Sequence, residues 1–212
     1  MEIAAPINGT LRRVPAWLIY VVSAGYAAWV FWQGATGALG PNPVESIEHA
    51  YGEAALYLLI AGLAVTPLRR FAGLNLLKFR RAIGLACFFF VLAHLIVWAV
   101  LDVQALSRVW AGIVKRPYIT VGMAAFALLL PLAVTSNNLS VRRLGPKWRQ
   151  LHKLAYPAAL LGALHYVMLV KGWQIEPLIY LGIIAALLAL RLPFFSRPRR
   201  KMAPGAAARS QS

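Results

Sequence analysis

Two histidines, His94 and His165, stand deep inside two long apolar segments, Ala82 to Leu101 and Leu154 to Val170. An imidazole in hydrocarbon is costly unless something binds it, so a pair set this way reads as two axial ligands of one buried metal cofactor, and heme is the cofactor that fits. Each lies about a dozen residues from the basic end of its segment, which at ~1.5 Å per residue puts both ~18–21 Å from that surface and level with one another. With neutral imidazoles on both sides the iron would have no open position, which suits electron transfer better than oxygen activation. Two unrelated packing histidines, hydrogen-bonded to neighbouring helices, are the alternative.

The other histidines differ. His152 precedes His165 along the same stretch and falls ~20 Å nearer the basic surface. A second heme there would need a partner at that level of the other helix, where Lys78, Arg80 and Arg81 stand instead. The expectation is one bis-histidine heme, with His152, Arg80 and Arg81 left to bind a heme propionate, a flavin phosphate or another redox group. A straight helix turns through ~220° between His152 and His165, so they share a face only if Pro157 resets it. His49, beside Glu48 in a predicted outer loop, reads as solvated. Gly162, one turn before His165, has no side chain to keep a flat ring from the backbone.

The elements that must hold these residues are membrane helices. Of 212 residues, 60% are hydrophobic and only 13% charged, against an apolar share of ~45–50% in soluble domains. The pattern predicts an all-α polytopic bundle of about six transmembrane helices, since a span needs ~20 apolar residues. They fall near Ala16 to Trp32, Ala54 to Val65, Ala82 to Leu101, Tyr118 to Val134, Leu154 to Val170 and Leu178 to Leu190. The second and last are short and must draw on flanking residues. Trp32, Trp98, Trp110 and Trp173 lie near the predicted outer edges, where interfacial belts form.

A net charge of +16 suggests nucleic acid in a soluble protein, but here the cations are segregated. Eighteen of the 22 Lys and Arg residues, among them Arg12, Arg13, Arg69, Arg70, Arg80, Arg81, Arg142 and Arg143, fall on one side. Arg108, Lys115, Arg116 and Lys171 alone fall on the other. The positive-inside rule then makes both termini cytoplasmic, and the charge is a topology signal and a contact with the bilayer's anionic headgroups; no nucleic-acid partner is expected. A first helix cleaved as a signal would break this pattern, so it is expected to stay. Cys87, the single cysteine, leaves neither a disulfide nor a Cys-ligated centre. The organisation expected is one transmembrane domain over residues 1–193 and a basic, disordered tail over 194–212.

Several strings carry a resemblance. Thr66-Pro67-Leu68-Arg69, Arg80-Arg81-Ala82-Ile83-Gly84-Leu85 leading to His94, Arg116-Pro117-Tyr118-Ile119-Thr120-Val121-Gly122, Arg143 to His152, His165-Tyr166 and Pro177-Leu178-Ile179-Tyr180 occur in order from about Gly40 to Arg191. This stretch resembles the heme-binding membrane subunit of the bacterial protein-methionine-sulfoxide reductase system, within the ferric-reductase-like transmembrane group. The resemblance implies a b-type heme, an associated flavin mononucleotide (FMN) and a place in the bacterial inner membrane. It also implies electron delivery to a periplasmic molybdopterin enzyme that reduces methionine sulfoxide in oxidised envelope proteins. The family's histidines fall on His94, His152 and His165.

Only about twenty residues follow the last predicted helix, and no glycine-rich phosphate loop occurs, whereas a flavin and nicotinamide domain needs well over ~100 residues. Electrons are therefore expected from a separate donor, a cytoplasmic flavin reductase or membrane quinol, and the chain reads as an electron-transfer subunit rather than the catalytic one. The rival is a stand-alone transmembrane metalloreductase, with Glu45, Glu48 and Glu53 collecting ferric or cupric ions outside. A transporter or assembly factor using the histidines as polar packing groups is a further, non-redox rival.

Overall fold

The computed structural model describes residues 4–170 and 174–191; Lys171, Trp173 and the basic tail expected over 194–212 lie outside the described residues. Among the described residues all regular structure is helical: α1 (Ala4–Arg13), α2 (Leu18–Ala35), α3 (Pro43–Phe71), α4 (Arg80–Ile96), α5 (Leu106–Lys115), α6 (Pro117–Val134), α7 (Asn138–Leu144), α8 (Pro146–Leu151), α9 (Ala155–Leu169) and α10 (Ile175–Ala189). Each of the six predicted apolar segments falls on one of these. Among the described residues three helices are long and apolar enough to cross a membrane: α3, α4 with its extension to Val103, and α6. The pair α1 and α2, bent by 76°, makes a fourth if it counts as one span, and α10 is a shorter apolar helix. This is a membrane protein.

Local sequence explains the ends. Pro43 and Pro117 open α3 and α6 at the position where a missing N–H costs nothing. Asn137 caps α7 by accepting from the Ser140 N–H at 2.8 Å, as a short polar side chain does for an otherwise unpaired donor. Beyond Ile96, α4 runs on as a wider π-helical turn, Val97–Val103. It closes with the Gln104 N–H donating to Ala99 O at 3.1 Å, and Gln104 takes φ 61°.

Two predictions change in detail. The second apolar run does draw on flanking residues, which bring α3 to 29 residues, but its surroundings differ from the expectation. Glu45, Glu48, His49 and Glu53 lie on its first turns rather than in an outer loop, because Ile47 and Tyr51 on the other face of those turns are buried and hold them helical. Trp98 is buried, with its ring against Gly112 of α5, and so is no interfacial belt residue, whereas Trp32 and Trp110 are 67% and 68% exposed.

The core is a ring of four helices. α3 packs on α4, α4 on α6, α6 on α9 and α9 back on α3, while α2 covers α3 and α4, and α10 covers α3 and α9. Small residues line these seams: Ala55, Ala82, Ala86, Cys87, Ala158, Ala159 and Ala163 are all buried, which lets helix backbones approach closely. Few polar links tie the ring. The Cys87 thiol donates to Ala55 O at 3.3 Å, and outside the ring the Tyr51 hydroxyl ties α3 to α2 by donating to Ala27 O at 2.8 Å. The consequence for function is that α4 and α9, which carry His94 and His165, stand on the diagonal and face each other across the interior.

Candidate functional site

His94 and His165 meet in that interior, with ring centroids 6.3 Å apart and planes crossing at 81°. Each ring is oriented by the helix behind it. His94 Nδ1 lies 2.8 Å from Glu48 O on α3, and His165 Nδ1 lies 2.7 Å from Tyr118 O on α6. A carbonyl can only accept, so both Nδ1 atoms carry the proton and both Nε2 atoms keep their lone pairs. The Glu48 carboxylate is 4.0 Å from His94 Nε2, beyond hydrogen-bond range.

A glycine lies under each ring, four residues beyond the carbonyl that orients it. A Cβ on Gly52 would stand 3.2 Å from His94 Nδ1, and a Cβ on Gly122 only 2.8 Å from His165 Nδ1 and 3.0 Å from its Cε1. The reason is local: in a helix the carbonyl of residue i points toward the N–H of i+4, so an imidazole that also reaches that carbonyl must lie over residue i+4. The two halves repeat the device, α3 with α4 and α6 with α9, with ring-to-carbonyl separations of 46 and 47 residues in sequence. Neither glycine nor either carbonyl is among the residues that sequence reasoning singles out for the site. Gly162, which is, has open space where its Cβ would be.

These residues fit a metal held between them. A histidine nitrogen binds a first-row metal at about 2.0 Å and the ring centre lies about 1.1 Å behind it, so two rings in line across one metal have centres about 6.2 Å apart. The observed 6.3 Å, the two free Nε2 lone pairs and the backbone bonds behind them fit a metal that the two rings would share. Among the described residues, no three His, Cys, Asp or Glu side chains could together hold a metal ion, and Glu45 is engaged by the Asn42 amide at 3.3 Å.

The other site residues lie at the opposite end of the bundle. His152 sits in a 3-10 turn, His152–Leu154, just ahead of α9. It is stacked on Trp148 at 3.8 Å between centroids. The Thr135 hydroxyl gives its proton to Pro131 O at 2.6 Å, so His152 Nε2 is the donor to Thr135 Oγ1 at 3.1 Å. Nδ1 is then left as the acceptor. Burial and, after it, the Arg80 guanidinium hold this imidazole below its ordinary pKa, because both disfavour a second positive charge. Arg80 and Arg81 part company: Arg80 lines a cavity with Arg70, Tyr156 and Arg191, whereas Arg81 donates to Asn138 Oδ1 at 2.8 Å.

Fold and site define a class: a membrane helix bundle that presents two backbone-oriented imidazoles to each other across its interior. Residues 50–163 match the family described as "Ferric reductase like transmembrane component". Similar proteins include the protein-methionine-sulfoxide reductase heme-binding subunits MsrQ of Brucella anthropi, 49% identical over 178 residues (83% of this chain and 80% of that protein), and of Brucella ovis, 50% identical over 177 residues (83% and 80%). No solved structure matches the chain. The chain belongs to the MsrQ family of heme-binding subunits.

Proposed function

We propose that this protein is the heme b-containing membrane electron-transfer subunit of a methionine-sulfoxide reductase system. The observation that carries the reading is the His94–His165 pair, 6.3 Å apart with both Nδ1 atoms bonded to backbone carbonyls. His94 and His165 would hold the iron, each with its Nε2 lone pair free. The Glu48 and Tyr118 carbonyls keep each ring in the ligating tautomer and raise its basicity. Gly52 and Gly122 admit the rings, and the apolar helices exclude water. Heme b bound there would supply one-electron cycling between ferric and ferrous iron.

In this reading residues 1–193 form the transmembrane domain, with six spans and both termini cytoplasmic, and 194–212 form a cytoplasmic tail. The protein lies in the bacterial inner membrane. It takes electrons from a cytoplasmic flavin reductase or quinol and passes them to a periplasmic molybdopterin-containing subunit that repairs oxidised envelope proteins. The segregation of cations supports the orientation. FMN is proposed as a second cofactor at the inner end, where His152 offers an acceptor and Arg80 and Arg81 offer charge.

The test is a set of reduced-minus-oxidised spectra, with heme content, for the purified protein and for His94→Ala, His165→Ala and His152→Ala. The expected result is loss of the Soret and alpha bands in the first two and one heme per chain retained in the third. A normal spectrum in His94→Ala, or two hemes in the parent, would overturn the ligand assignment.

A further inference from the structure

The cavity at the inner end holds more charge than the function above uses. It is half open, with a volume of about 240 Å³ between the end of α3, the start of α4, the start of α9 and the end of α10, and is lined by Thr66, Pro67, Arg70, Arg80, Tyr156, Leu190 and Arg191. That is several times the ~30 Å³ a water takes in the liquid. Three guanidiniums face it. Among the described residues no Asp or Glu carboxylate lies within 4.0 Å of a Lys or Arg nitrogen, so none of the three has an acidic partner.

Arg191 is held in place from behind. Pro67 has no N–H, so Leu63 O on α3 lacks the donor that residue i+4 supplies elsewhere in a helix. Arg191 fills the gap: its Nη2 donates to Leu63 O at 2.5 Å and its Nη1 to the Tyr156 hydroxyl at 3.0 Å. Its guanidinium carbon lies 5.1 Å from the centre of the Tyr156 ring. Its Nε, buried, has no acceptor, an unpaired donor on a fixed cation. Arg80 and Arg70 complete a positive wall around a space that no side chain of opposite sign enters.

The geometry points to a binding site for a phosphate ester in this cavity, read by Arg70, Arg80 and Arg191 with the Tyr156 edge. Guanidinium forks match phosphate oxygens in geometry and charge. A basic pocket between membrane helices on the cytoplasmic side meets two carriers of that group, the headgroup of an anionic phospholipid and a soluble phosphate ester such as FMN. The inference deepens the inner-end assignment made above for FMN but stands without the heme, which spectra of the same samples read separately.

The test uses the full chain with its heme. Protein in nanodiscs of phosphatidylglycerol or phosphatidylcholine is analysed for co-purifying lipid. Lipid-stripped protein is titrated with FMN, riboflavin and inorganic phosphate, beside Arg70→Gln/Arg80→Gln and the charge-keeping Arg70→Lys/Arg80→Lys. Losing both guanidiniums is expected to weaken binding by at least about tenfold, with the Lys pair in between. Retention of phosphatidylglycerol over phosphatidylcholine, lost in the Gln pair, supports the site and makes a lipid its ligand. Binding of FMN but not riboflavin, lost in the Gln pair, supports it with a soluble ester. Should the Gln pair fail to fold, displacement of either ligand from the parent protein by phosphate but not by nitrate at equal ionic strength keeps the site. Equal retention of both lipids together with equal binding of FMN and riboflavin, or a Gln pair that binds as the parent does, overturns it.

Discussion

Gly122→Ala is expected to loosen heme at His165 far more than Gly52→Ala does at His94. Ordinary contact with a Cβ begins near 3.4 Å; a methyl at position 122 falls about 0.6 Å short of that to His165 Nδ1, and one at position 52 about 0.2 Å short to His94 Nδ1. A retreat of the ring from α6 by about 0.6 Å takes the 2.7 Å bond to Tyr118 O past the ~3.2 Å limit of a good N–H···O bond. Losing that bond costs about 1 kcal/mol, and the residual overpacking about 1 kcal/mol more. The sum, about 2 kcal/mol, is about thirtyfold in heme affinity, inside the ~10–100-fold range for loss of a ligand's outer partner. At Gly52 a shift of a few tenths of an ångström keeps the 2.8 Å bond to Glu48 O, and the effect stays near twofold.

The assay is the rate at which apomyoglobin extracts heme from each variant, with the reduced-minus-oxidised spectrum as the check on ligation. Equal extraction from Gly122→Ala and the parent, or a larger effect at Gly52 than at Gly122, would refute the reasoning that these glycines seat the rings.

Three further outcomes follow from the geometry. Because burial and Arg80 hold His152 below its ordinary pKa, the unfolded chain binds more protons than the folded one once pH falls through about 6.5, and stability drops there. His152→Gln should flatten that slope in thermal unfolding at about pH 5.5 and about pH 7.5, and an unchanged slope would show that another group sets it. Arg191→Leu should cost about 2 kcal/mol by leaving Leu63 O without a donor. Adding Pro67→Ala should recover about 1 kcal/mol, since Ala brings back the helical N–H, and strictly additive losses would rule out that coupling. If the proposed periplasmic molybdopterin partner docks there, reversal of Arg108, Lys115 and Arg116 on and beside α5 to Glu should slow transfer to it, most at low ionic strength; a stopped-flow rate unaltered by reversal would remove α5 from the docking surface.

What the sequence shows of this site and what it hides divide along a physical line. His94 and His165 are legible because an imidazole in an apolar run breaks the local pattern, and helical rise alone puts them level. Their seats are not legible. The Glu48 and Tyr118 carbonyls are backbone groups that every residue possesses, and Gly52 and Gly122 look like any glycine that eases helix packing. The glycine that matters to each ring lies on the neighbouring helix, over which the ring reaches for a carbonyl, so spacing along the histidine's own helix points to Gly162 instead, where nothing is near.

The helices show the same division. Six apolar runs each mark a helix, but α3 extends a dozen residues outward from its apolar run, because burial of Ile47 and Tyr51 depends on α2 and α4, which apolarity along α3 cannot register. At the inner end, Arg191 is only a cation after a helix until Pro67 is seen to orphan Leu63 O four residues earlier. A missing donor on one helix thus fixes a cation from another, and that cation, once fixed, turns a gap among four helix ends into a charged cavity. Side-chain chemistry declares itself in sequence; the backbone that aims it does so only where a residue without an N–H marks the place, as Pro67 does here.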